Sequence, residues 1–103
     1  MVPIHPGRIL RRELRTRNLS ANALARALRV PSGRIVDILN AKRSISAETA
    51  LRLGRYFGND PQFWVNLQAQ YDLALAMRDV GAIVAREVET ARVTNSPYDE
   101  GTL

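Results

Sequence analysis

Apolar residues recur three or four apart along almost the whole chain, and no stretch alternates apolar with polar as a half-buried strand does. The sequence therefore reads as all-α, and proline and glycine cut it into short helices. The first is predicted from Pro6 to about Arg17, with Ile9, Leu10 and Leu14 as its buried stripe. Ser20 stands at an N-cap position, and Ala21 to Leu28 form a short helix burying Leu24, Ala25 and Leu28. Pro31 pushes the residue before it out of the α region, so the helix ends there. Pro31 or Ser32 opens a third helix whose inward residues are Ile35, Ile38 and Leu39. After the polar loop Asn40 to Ser44, Ser46 caps a helix over Ala47 to Phe57 that buries Ala50, Leu51, Gly54 and Phe57. Gly58 suits a C-cap, and Asn59-Asp60-Pro61 supplies a fresh N-cap followed by proline at the first helical position.

The fifth helix is predicted from Pro61 to at least Met77, and it is apolar on two sides. One stripe holds Trp64, Leu67, Tyr71, Ala74 and Leu75; the other holds Val65, Ala69, Leu73, Ala76 and Val80. A domain of this size covers one side with its own helices, which leaves the other for a second chain. Beyond Gly81, the residues Ile83, Val84 and Val88 suit a further short helix or a strand. Residues 92–103, with Asn95, Ser96, Pro97 and Gly101, read as a disordered tail. The organisation expected is one domain over 1–77 that includes a dimerising fifth helix, a helical extension over 78–91, and the tail.

Charge narrows the function classes. The net charge is +5, but residues 1–60 hold 12 basic and 4 acidic side chains, whereas residues 61–103 hold 3 and 6. Fourteen of the 15 cations are Arg, whose planar fork suits phosphates and guanine edges. A solvated basic surface gives this pattern, and so does a polyanion-binding first half joined to a partner-binding second half. With no cysteine, one histidine, no glycine-rich phosphate loop and no clustered carboxylates, the sequence offers no catalytic set and no metal or cofactor site. His5 is expected as an N-terminal cap or a surface residue. No apolar run reaches the ~18 residues of a membrane span, and no secretory signal opens the chain, so the cytosol is the default location.

Two short helices joined by a tight turn in a basic, all-helical domain are the outline of a helix-turn-helix. A recognition helix is short, pinned on one face, and carries small polar groups at an N-terminus able to enter the ~12 Å major groove. Ser32 to Asn40 meets these conditions. With Ile35, Ile38 and Leu39 inward, Gly33, Val36, Asp37 and Asn40 turn outward and Arg34 lies on the flank. Arg34 suits guanine, or else an ion pair with Asp37 or Glu48. Ser32 suits a phosphate or base, or a helix cap; Val36 suits a thymine methyl, or merely fills the helix edge. Asp37 is read as orienting an arginine, and Lys42 and Arg43 as phosphate contacts. The first-helix arginines Arg8, Arg11, Arg12 and Arg15 are a wet face or a surface for an acidic partner.

Leu19-Ser20, Leu24-Ala25, Leu28, Val30-Pro31, Arg34-Ile35 and Ile38-Leu39-Asn40 together resemble the lambda-repressor-like (Xre/Cro) family. Three further blocks resemble its HigA-type antitoxins: Ile4-His5-Pro6-Gly7 with Ile9-Leu10, Thr49 to Phe57, and Phe63-Trp64 with Asn66-Leu67-Gln68 and Tyr71-Asp72-Leu73. The resemblance covers residues 4 to about 77. It implies a five-helix domain with a C-terminal helical extension, working as a homodimeric antitoxin. Such a protein neutralises a HigB-type mRNA endonuclease and represses its own operon at palindromic double-stranded DNA. The family's DNA-contact positions fall on Asn22, Ser32, Gly33, Arg34, Asp37, Asn40, Lys42 and Arg43. The dimer interface is placed on Phe63, Trp64, Leu67, Tyr71 and Leu75, some of which also serve the core. Ala21 departs from the glutamine that often begins the second helix, and Arg29 from the glycine that usually makes the turn. A stand-alone Xre-type regulator, or a module that sequesters a toxin without binding DNA, shares most of these residues.

Overall fold

The computed structural model describes residues 2–92. It contains α1 (Pro6–Thr16), α2 (Ala21–Leu28), α3 (Ser32–Leu39), α4 (Ala47–Phe57) and α5 (Pro61–Glu87), with no strand among the described residues. The caps explain the boundaries. Ser20 Oγ accepts from the Ala23 N–H at 3.0 Å, Ser46 Oγ from Thr49 at 3.2 Å, and the Asp60 carboxylate from Gln62 at 2.9 Å. Gly58 closes α4 in the left-handed region at φ 75°. Arg29 closes α2 there too, at φ 61°, and the Val30 N–H reaches back to the Ala25 carbonyl at 3.0 Å. That is the Schellman arrangement with an arginine in glycine's place, at a cost of about 1–2 kcal/mol.

Helices α1 to α4 close around Leu10, Leu14, Leu24, Ala25, Leu28, Ile35, Ile38, Ala50 and Leu53, with Trp64 of α5 completing the core. One expectation fails in α4. Leu51 is 61% exposed, and Leu53 is the fully buried residue. The inward stripe runs Ala50, Leu53, Gly54, Phe57 at spacings of three, one and three, and Leu51 lies a hundred-degree step off it. Gln68, a polar residue in the fifth helix, is also buried. Its Oε1 accepts from the Ile45 N–H at 2.8 Å and its Nε2 donates to Asp72 at 2.9 Å, so α5 holds the loop that enters α4.

The break expected after Gly81 is absent. Helix α5 runs unbroken for 27 residues, about 40 Å at 1.5 Å per residue, through the position where a separate extension was foreseen. A lone glycine costs a helix interior about 1 kcal/mol, too little to stop a helix already propagating when neither a capping residue nor a proline follows. The last buried residue is Ala74, and beyond it the helix leaves the domain. The greater part of the foreseen disordered tail, residues 93–103, lies outside the described residues.

Trp64 requires a correction. Foreseen in the dimer interface, it is fully buried in its own protomer, its Nε1 donating to Asn59 Oδ1 at 3.1 Å and its ring beside Phe57 and Phe63. No surface of it is left to a partner. Leu67, Tyr71 and Leu75 are half-buried, and Phe63 is 43% exposed. An uncovered apolar stripe lies on the roughly opposite face of α5, at Leu73, Met77, Val80 and Val84.

His5 ties three elements together. Its Nδ1 accepts from the Gly7 N–H at 2.9 Å and so caps α1, while its ring meets Tyr71 of α5 edge-on at 4.9 Å. Burial holds the imidazole below its ordinary value of 6.5, against the Arg43 backbone carbonyl and the Asp72 carboxylate, which both favour the protonated ring. The unfolded chain therefore takes up a proton, as pH drops through 6.5, that the folded chain resists. Stability is full above that value, falls on acidification, and stops falling below the folded value. Thermal melts at about pH 7.5 and 5.5 should show a lower Tm at the acid end, and His5→Asn, which keeps a capping acceptor, should narrow the gap.

Candidate nucleic-acid interface

Helix α3 is held from both sides so that one edge stays open. Ile35 and Ile38 are fully buried, and α3 packs against α2 and α1. The opposite edge carries Ser32, Gly33 and Val36, all exposed, with Val36 39% accessible. A Cβ added at Gly33 would meet nothing within 4 Å. Ser32 does not cap the helix: the N-cap is Pro31, which has no side chain to offer the first N–H groups. The first turn of α3 thus presents an exposed hydroxyl beside uncapped backbone donors, a surface suited to an anion or a base edge.

Three arginines and two carboxylates around this edge pair with one another. Arg34 Nη1 lies 3.3 Å from Glu48 Oε1, the ion pair foreseen as one of its two roles. Glu48 also accepts from Arg52 at 3.0 Å; that hydrogen bond and charge, followed by Arg34's charge, hold its carboxyl below the ordinary value. Arg43 lies 3.8 Å from Asp37, the geometry required if Asp37 orients an arginine. Lys42 and Arg43 stand exposed in the loop after α3, and Ala41 bends that loop at φ 60°. Asn22 is exposed on the first turn of α2. The structure thus gathers Ser32, Gly33, Arg34, Val36, Asp37, Asn40, Lys42 and Arg43 along α3 and its following loop, and Asn22 stands on α2.

Two residues outside the foreseen set position this surface. Arg11 Nη2 donates to the Leu39 carbonyl at 3.3 Å and to Asn40 Oδ1 at 3.4 Å, so it fastens the C-terminus of α3 to α1. Asn40 is accordingly a clamp for α3 as well as a loop residue. Gly7 lets the backbone of α1 come close to that of α3 at the Ile38 carbonyl. In sequence, Arg11 was one of four arginines on a helix, and nothing in its spacing separated it from a solvated stripe.

Comparison with known proteins agrees with this geometry. A family model described as helix-turn-helix matches residues 10–64. A solved antidote protein of the HigA family from Coxiella burnetii is 48% identical, covers 88% of this chain and 100% of its own, and superposes with a TM-score of 0.86. Pseudomonas aeruginosa antitoxin HigA, solved with the higBA promoter, is also 48% identical with the same coverage and a TM-score of 0.85. Virulence-associated protein I of Dichelobacter nodosus is 54% identical over 84 residues, 81% of this chain and 78% of that protein.

Proposed function

Since this chain belongs to the Xre-like helix-turn-helix family and is HigA-like within it, we propose that it is a DNA-binding antitoxin that represses its own operon as a homodimer. The observation that carries this reading is the open edge of α3, where exposed Ser32, Gly33 and Val36 stand beside Arg34, Lys42 and Arg43. Two Pseudomonas aeruginosa relatives, 48% and 49% identical and solved with the higBA promoter and with operator DNA, support it. Ser32, Gly33, Val36 and Arg34 would face the bases, with Arg34 leaving Glu48 for a guanine edge. Asn22, Asn40, Lys42 and Arg43 would meet the backbone. Asp37 would hold Arg43 in place rather than touch phosphate.

Two recognition helices would be set about one DNA turn apart, roughly 34–36 Å, by pairing of α5 across Leu73, Met77, Val80 and Val84. The protein partner would be a HigB-type mRNA endonuclease, neutralised by direct binding.

The test is a shift assay on the chain's own promoter across a salt series. Six to ten phosphate contacts per dimer would cost roughly 10³–10⁵ in affinity between 50 and 200 mM salt. A chain that retards no upstream DNA at the low end of that range would not be a repressor. Co-expression with the adjoining toxin reading frame tests the antitoxin half separately, by growth rescue and co-purification.

A further inference from the structure

A second surface shares no residue with the α3 edge. The C-terminal end of α2 and the outer face of α4 enclose a groove of about 520 Å³, lined by Ala27, Leu28, Arg29, Leu51, Arg52, Arg55 and Tyr56. Its apolar part is uncovered by the fold, with Leu51 61% and Tyr56 42% exposed. Its cations differ in what they do for the fold. Arg52 is fixed, donating to the Leu28 carbonyl at 2.9 Å and to Glu48. Arg29 and Arg55 meet no carboxylate within ion-pair distance among the described residues, and the nearby Glu48 is already shared by Arg34 and Arg52. Arg29 also sits at φ 61°, a conformation that glycine adopts without strain. The chain thus keeps a guanidinium at the corner of the groove despite its conformational cost, and strain of this kind gathers at functional positions.

We propose that this groove docks an acidic protein segment carrying one apolar anchor residue. The anchor packs on Leu51 and Tyr56, and carboxylates on either side of it pair with Arg29 and Arg55 in fork geometry. Duplex DNA would use the guanidinium groups and leave the apolar floor empty; an acidic segment with an anchor uses both. The inference rests on the antitoxin reading, since the segment is assigned to the neutralised protein partner. Because the groove and the α3 edge have no residue in common, partner and DNA can be held at once.

The experiment titrates the purified product of the adjoining toxin frame into full-length wild type, Arg55→Glu, Leu51→Ser and Arg29→Gly, with operator shifts run in parallel. Arg55→Glu should weaken the protein complex more than tenfold, and Leu51→Ser several-fold, with operator affinity unchanged. Arg29→Gly should weaken it several-fold with a Tm no lower than wild type, an outcome that a merely structural arginine would not give. Unchanged partner affinity in all three variants overturns the proposal, as does an equal loss of operator binding, which would assign these arginines to DNA. Should wild type bind its operator but not the adjoining protein, the antitoxin reading fails first and this inference falls with it.

Discussion

A chain carrying Val80→Lys together with Val84→Lys should sediment as a folded monomer and bind a palindromic operator about 10²–10⁴-fold more weakly than the parent. The exposed apolar stripe of α5 runs Leu73, Met77, Val80, Val84 at spacings of four, three and four, the a/d rhythm of a helix seam. In the isolated chain these residues are 63%, 61%, 43% and 49% accessible, so the lysines replace exposed residues and none of the buried core. Lysine is a somewhat better helix former than valine, and the helix itself should persist. What is lost is the coupling of two half-sites. In a dimer the second recognition helix reaches its half-site at a concentration fixed by the first; a monomer must find each half-site alone. Sedimentation and shift assays on full and half operators would separate the steps. A double variant that stays dimeric would move the seam elsewhere, with the apolar groove between Ile4, Ile9, Leu67 and Tyr71 next in line. A monomer with undiminished operator affinity would end the paired half-site reading.

The helix boundaries were readable because they are set by local chemistry. Ser20, Ser46 and Asp60 are capping side chains acting two or three residues away, and Gly58 needs only its own backbone freedom. The buried stripes of α1 to α3 were readable for a similar reason, since a short helix packed on one side leaves a clear period. Leu51 was misplaced because α4 is apolar at both Leu51 and Leu53, and only the packing partners decide which one turns inward. Trp64 was misplaced for a related reason. A helix apolar all round does not say which side its own domain covers, and the largest ring was assigned to both. The bonds that Arg11 and Gln68 make could not be read from the sequence. Each acts on a backbone group more than twenty residues away, on Leu39 and Ile45, and nothing in the neighbouring sequence marks such a bond.

Gly7→Ala reads out how closely α1 and the recognition helix are packed. Gly7 sits in the first turn of α1, and a Cβ there would overlap the Ile38 carbonyl oxygen and come 2.9 Å from the carbonyl carbon. The obstacle is backbone in the last turn of α3, so no side chain can rotate aside and one helix must move. Overpacking of this kind costs about 1–3 kcal/mol; because the clash is with main chain, about 3 kcal/mol is expected, a fall of roughly 10–20 °C in Tm for a domain of this size. The movement also strains the Arg11 bonds to Leu39 and Asn40, so operator affinity should drop even at temperatures where the variant is fully folded. Gly33→Ala is the control. The residue type is the same and the helix position similar, but the space is open, and alanine there should leave stability unchanged or raise it by about 0.5–1 kcal/mol. Equal melting temperatures for Gly7→Ala and the parent would mean that α1 and α3 stand further apart, and Arg11 could then not be what sets the tilt of the recognition helix.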